Sequence, residues 1–146
     1  MNNCIFCKII KGEIPSYKIY ENEHTYAFLD ISKDCYGHTL VVPKKHSENI
    51  LDTDPTALCE VSKTIQLICH HYESLGFEGF NILNNNNSCA EQSIHHLHFH
   101  ILPRKENDGL KIFPNLNEQN LDLEEIQKKL FKKSWHQFID ISQFIC

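Results

Sequence analysis

The stretch that most constrains this 146-residue chain is 92–104, Gln-Ser-Ile-His-His-Leu-His-Phe-His-Ile-Leu-Pro-Arg. His96, His98 and His100 alternate there with Leu97, Phe99 and Ile101. A β-strand turns successive side chains to opposite faces, so this period of 2 sets three imidazoles on one side and three large apolar groups on the other. On a helix the same spacing would scatter both rows. The segment predicts a strand packed on its apolar face and ending at Pro103, which has no N–H to give to a ladder.

The row also limits what its imidazoles can do together. Alternate strand residues stand about 6.6 Å apart, which puts His96 and His100 roughly 13 Å from each other. A zinc-ligating nitrogen must come within about 2 Å of the metal. One ion can therefore take two neighbours of the row but not all three, and at least one histidine has another task.

The remaining chain supplies the partners for such a strand. Asn3 can cap a short helix over Cys4–Lys11, which Gly12 stops. Tyr17–Glu21 and Thr25–Leu29 read as a hairpin around Asn22-Glu23, and 37–43 as another strand closed by Pro43, delivering Lys44, Lys45 and His46. Asp52-Thr53-Asp54-Pro55 opens a helix. Leu58, Val61, Ile65, Ile68, Tyr72 and Leu75 continue it as one apolar stripe until Gly76. Phe80–Leu83 is a strand running into four asparagines, 84–87, which suit a loop. The order predicts an α+β domain: a five-stranded antiparallel sheet, one long helix and short terminal helices. Residues 1–110 form the body and 111–146 a helical extension, with an amphipathic helix from Leu121 to Lys133. Beyond it, Trp135, Phe138, Ile139, Ile141, Phe144 and Ile145 make the tail apolar enough to pack on the body or on a partner.

Composition excludes several classes. A net charge of -5 argues against a general nucleic-acid surface, so an anionic ligand would need local cations, for which Lys44, Lys45 and Arg104 are candidates. No apolar run approaches the ~20 residues of a membrane span, and the N-terminus lacks the basic-then-apolar order of a signal peptide. A cytosolic or nuclear location is expected. Seven cysteines, five of them scattered, are no disulfide framework, and reduced thiols are expected. Cys4-x-x-Cys7 alone fits either a ligand pair or two packed thiols.

His96-Leu97-His98-Phe99-His100-Ile101-Leu102, with Gln92-Ser93 just upstream, resembles the histidine-triad motif of the HIT superfamily of nucleotidyl hydrolases and transferases, over roughly residues 4–104. The resemblance implies that His98 is a nucleophile forming a covalent nucleotidyl-histidine, which water then breaks. Neutral imidazole is both a nucleophile and a proton carrier near pH 7. It assigns His38 and His100 to the surrounding imidazole cluster, and Gln92 and Ser93 to the α-phosphate and leaving group. Asp30 matches the ribose-binding acid, Ile5, Phe6 and Phe28 the base pocket, and Asn85 the phosphate-side asparagine; read alone, Phe6 and Phe28 would equally be core. Relatives with the same Cys-x-x-Cys start and a histidine after Pro-Lys-Lys carry a structural zinc, which here implies Cys4, Cys7, His46 and His96 as ligands. The implied activity is hydrolysis at the α-phosphate of purine nucleotides, foremost of nucleoside phosphoramidates, by a homodimer. A dinucleoside polyphosphate hydrolase and a non-catalytic nucleotide-binding protein are the alternatives. Two departures stand out: Glu91 replaces a usual glycine, and the Trp-Pro-Pro-Gly type of ending is absent.

Overall fold

The computed structural model describes residues 3–112 and 120–131. Helix α1 (Ile5–Ile10) leads to the strands β1 (Lys18–Glu21), β2 (Thr25–Leu29) and β3 (Thr39–Pro43). The long helix α2 (Pro55–Ser74) follows, then β4 (Gly79–Leu83), a 3₁₀ turn at Ser88–Ala90, β5 (Phe99–Arg104) and α3 (Leu123–Leu130). The sheet is antiparallel throughout, in the order β1-β2-β3-β5-β4. This is the α+β, five-stranded architecture expected from the sequence. The chain divides after Leu110 into two units, and the described part of the second holds α3. Asp122 caps α3 by accepting from the N–H groups of Glu124 and Glu125. The tail aromatics and isoleucines from Trp135 onward lie outside the described residues.

Within the first unit both faces of the sheet are covered. Ala27, Val41 and Ile101 pack against Val61, Ile68 and Tyr72 of α2. On the opposite face Tyr26, Phe28, Leu40 and Val42 pack against Phe6 and Ile9 of α1. Burial on two sides explains why β2 and β3 are almost unbroken apolar runs rather than alternating ones. The α2 stripe ends earlier than expected: Tyr72 is buried but Leu75 is exposed. Thr64 occupies the stripe instead, its hydroxyl hydrogen-bonded to Thr25 at 2.7 Å. Asp54 caps α2, and Pro55 follows at a first-turn position whose N–H would have no intrahelical partner, so its absence costs nothing. At α1 the cap is Cys4 rather than Asn3, whose side chain instead accepts from Lys8.

The motif segment departs from expectation at both ends. Strand pairing begins only at Phe99, so His96 and His98 precede β5, and β5 continues through Pro103 to Arg104. The pairing of β3 with β5 covers three residue pairs, from Val41↔Phe99 to Thr39↔Ile101. Each proline stands just past that ladder. The Pro43 carbonyl accepts from the His96 imidazole, and the Pro103 carbonyl from the Cys35 thiol, where the neighbouring strand has already ended. Neither missing N–H costs a ladder bond there. His96 and His98 are kept extended by other means: the Leu97 amide donates to the Ser47 carbonyl and the Asn84 side-chain amide to the His98 carbonyl. Cys4, Cys7, Cys35, Cys69 and Cys89 are free thiols as expected; Cys59 is not among them, and the expectation of reduced thiols does not extend to it. Among the described residues no helix is long and apolar enough to cross a membrane.

Candidate active site and metal cluster

His98 lies at the floor of a cavity of about 340 Å³ on the α1 face of the sheet. Ile5, Phe6 and Ile9 of α1 and Phe28 of β2 form its apolar walls, with Tyr17 and Ile94 at the sides. Ser16, Asp30, Ser93, His98 and His100 supply its polar lining. Phe6 meets Phe28 edge-on at 5.5 Å and the His98 imidazole at 5.3 Å. An apolar slot opening onto a few convergent polar groups is the usual make-up of a small-molecule site.

The tautomer of His98 is legible from its partner. Nδ1 lies 2.7 Å from the His96 carbonyl, which can only accept, so Nδ1 carries the proton and Nε2 a lone pair. Burial drives the His98 pKa below the usual imidazole value, so the ring is neutral at pH 7. His100 is pushed down to about 4, by burial first and then by His98 and His38. His38, buried behind His100, places Nε2 2.9 Å from His100 Nδ1 and 3.9 Å from Asp30. His98 and His100 are thus neutral imidazoles, and the Nε2 of His98 keeps its lone pair for a nucleophile's role.

Other expected residues fall differently. Gln92 is buried, and its amide donates to the Glu48 and Ile94 carbonyls while accepting from the Asn87 N–H. It shapes the loop that carries Ser93 and does not line the cavity. Asn85 is half-buried in the asparagine loop and does not line it either. The three candidate cations are engaged elsewhere: Lys44 with Glu21, Lys45 with Asp54, and Arg104 with Asp108 and Asn81. Among the described residues no lysine or arginine lines the cavity. Sequence reasoning passed over Asp34, whose carboxylate meets His38; the i, i+4 spacing of an acid and a histidine in one loop was the available signal.

Cys4, Cys7, His46 and His96 converge from up to 92 residues apart in sequence, with their ligand atoms within 4.8 Å of one another. Sγ of Cys4 is 3.4 Å from His96 Nδ1, and Sγ of Cys7 is 3.4 Å from His46 Nδ1 and 3.6 Å from His96 Nδ1. The two Nδ1 atoms are 3.2 Å apart. A tetrahedral ion with bonds of about 2.3 Å to sulfur and 2.05 Å to nitrogen has edges of roughly 3.5 Å and 3.3 Å, so these separations fit one. His96 Nε2 donates to the Pro43 carbonyl at 2.9 Å, which fixes the tautomer and leaves Nδ1 bare for a metal. The four residues could hold a metal ion in a closed site.

A model of the HIT domain matches residues 11–107. An uncharacterized HIT-like protein of Methanocaldococcus jannaschii is 47% identical over 127 residues, covering 87% of this chain and 98% of its own. An adenosine 5'-monophosphoramidase of Saccharomyces cerevisiae is 36% identical, covering 89% of this chain and 82% of its own. Among solved structures, a zinc-bound histidine triad family protein of Mycobacterium smegmatis superposes with a TM-score of 0.73 at 34% identity, covering 80% of this chain and 85% of its own.

Proposed function

The chain belongs to the HIT domain family, and from that premise we propose that it is a nucleotide hydrolase that cleaves nucleoside phosphoramidates at the α-phosphate through a nucleotidyl-histidine. The observation that carries this reading is the state of His98: buried, neutral, its proton held at Nδ1 by the His96 carbonyl and its Nε2 lone pair left free. That nitrogen attacks phosphorus. The bond to the leaving amine breaks, and the amine takes up a proton from solvent as it departs. Water then attacks the phosphorus–histidine bond, giving its proton to the imidazole cluster, and a nucleoside monophosphate leaves with His98 restored.

The apolar slot of Ile5, Phe6, Ile9 and Phe28 takes the flat base, and Asp30 at its edge accepts from the ribose hydroxyls. Ser93 faces the phosphate. A cavity lined by neutral imidazoles, one aspartate and, among the described residues, no lysine or arginine suits a single phosphate charge better than a polyphosphate chain. This favours phosphoramidates over dinucleoside polyphosphates. The sulfur and nitrogen donors of Cys4, Cys7, His46 and His96 fit zinc, which would be structural because all four positions are filled. The yeast relative, named a phosphoramidase, and the zinc-bound mycobacterial neighbour support both parts of this reading.

The test is to incubate purified protein with adenosine 5'-phosphoramidate and with a diadenosine polyphosphate, and to trap the adenylylated intermediate by acid quench. Hydrolysis of the first and label on His98 are expected. His98→Ala should lose at least about three decades of turnover while still binding nucleotide. Turnover surviving in His98→Ala would refute the nucleotidyl-histidine route.

A further inference from the structure

Asp34 lies on the loop between β2 and β3 with its side chain 57% exposed, yet its carboxylate sits 2.8 Å from Nδ1 of buried His38. Ser32 anchors the same oxygen, its hydroxyl donating at 2.9 Å. Partial burial would raise the carboxyl, but the hydrogen bonds from His38 and Ser32 outweigh it and hold the group below the ordinary aspartate value. An ionised carboxylate can only accept, so the proton in this contact belongs to His38 Nδ1. With the ring's one proton on Nδ1, His38 has a lone pair on Nε2, and His100 Nδ1, 2.9 Å away, is the donor. His100 is left with a bare Nε2. Each choice follows from the one before, and Asp34 makes the first. Without the carboxylate only the Ser32 hydroxyl, 3.3 Å from Nδ1, remains there, and a hydroxyl donates as readily as it accepts, so the single proton between His38 and His100 can sit either way round, and the reversed order gives His100 an N–H where it had a lone pair.

We propose that Asp34 is a positioning residue which, through His38, fixes His100 with its Nε2 lone pair free to take a proton from the attacking water. The proton balance is complete. Water gives its hydroxide to phosphorus and its proton to His100 Nε2, and the bond from phosphorus to His98 breaks. The positive charge that forms on the His38–His100 pair faces the carboxylates of Asp34 and Asp30, the anionic groups in contact with His38. This is the role an orienting carboxylate plays beside a catalytic imidazole. It rests on the hydrolase reading above and adds to it a residue outside the histidine motif.

The experiment pairs an activity readout with one that needs no turnover. Imidazole ¹⁵N shifts of labelled protein at neutral pH report which nitrogen of His38 is protonated. Steady-state hydrolysis of adenosine 5'-phosphoramidate gives kcat and KM separately. In wild type His38 should be protonated at Nδ1. Asp34→Ala should lose that signature and lower kcat at least about 10-fold with KM within about two-fold, and Asp34→Glu should restore both. Asp34→Asn keeps an acceptor without the charge, so it should keep the tautomer and still lower kcat; it also decides the matter if Asp34→Ala does not fold. His38 holding its Nδ1 proton in Asp34→Ala, or an unchanged kcat in either variant, would overturn the proposal. If wild type hydrolysed no phosphoramidate, the hydrolase reading would fall, while the nitrogen shifts would still decide whether Asp34 sets the tautomer.

Discussion

Glu91 sits at φ 63°, in the left-handed region, where a Cβ crowds the backbone and glycine is at ease. The glycine usual at this place in the family thus has a conformational cause, quite apart from closeness to phosphate. Glu91 closes the 3₁₀ turn Ser88–Ala90, its N–H donating to the Ser88 carbonyl, directly before the Gln92 whose amide organises the loop. Relieving the strain should stabilise the fold: Glu91→Gly is expected to add up to about 1 kcal/mol and so raise Tm by roughly 2–4 °C. Glu91→Gln keeps the strain and removes only the charge, so it should leave Tm unchanged. Any rise in kcat/KM shared by both variants would be owed to the charge, and a rise confined to Gly to the backbone. Thermal melts and phosphoramidate kinetics on the two variants separate these terms.

At the scale of elements, α1 is six residues long and has no side-chain cap, so its own hydrogen bonds hold it weakly. What fixes it is Phe6 and Ile9 in the core and Cys4 and Cys7 facing His46 and His96. Phe6 touches both neighbourhoods, its ring 5.8 Å from His96 and 5.3 Å from His98. A metal at the four residues would therefore also hold one wall of the cavity. Cys4→Ser with Cys7→Ser should abolish metal binding and cost at least about 2 kcal/mol, a fall in Tm of roughly 4–8 °C. It should raise KM through the loosened wall and leave kcat largely intact, because His98 and His100 are held by β5 and its approach. Elemental analysis should give about one zinc per chain in wild type and none in the double variant; a metal-free wild type would refute the assignment. Much of this was legible beforehand, since residue type and the reach of a strand excluded a three-histidine site and left His96 for a different task. The strand boundaries were not. Whether His96 and His98 belong to β5 depends on where its pairing with β3 stops, and Pro43, which ends β3, lies 53 residues from the His96 that its carbonyl holds.

For the molecule as a whole, the fold followed from periodicity because each element has a single rhythm and a clear stop. The alternation of imidazoles and apolar residues fixed which face of the sheet would be chemical. The commitments of Gln92, Lys44, Lys45 and Arg104 could not be read from the chain, because they rest on pairings between loops. Nor could assembly, for which β4 is an edge strand of the sheet and Leu67 of α2 and Leu75 just past it are exposed. Two-fold pairing is the commonest assembly of soluble proteins, so light scattering at micromolar concentration should give about twice the 17.1 kDa chain mass. A particle of one chain mass would exclude the dimer.

The same burial that keeps the imidazoles neutral predicts how the molecule responds to acid. His100 has a folded pKa of about 4, well below the usual imidazole value near 6.5, and burial lowers His98 as well. Between those two pH values the unfolded chain binds protons that the folded chain refuses. Stability therefore rises with pH across this window and is lost as pH falls from about 6.5 toward 4. The paired carboxylates Asp34, Asp52 and Glu21 are held low, so their contribution disappears only below the ordinary carboxylate range. Urea titrations from pH 7.5 to 4.5 should show the unfolding free energy falling on the histidine schedule, before the carboxylates titrate. The Cys4→Ser, Cys7→Ser background removes the thiols and the metal, while His96, itself pushed down to about 4 by burial, titrates alike in both proteins compared and cancels in the difference. In that background His100→Gln, which keeps a polar side chain but does not titrate, should make the slope shallower. A slope unchanged by His100→Gln would mean that the imidazole is hydrated in solution, and the neutral, water-excluding row around His98 would then lose its physical basis.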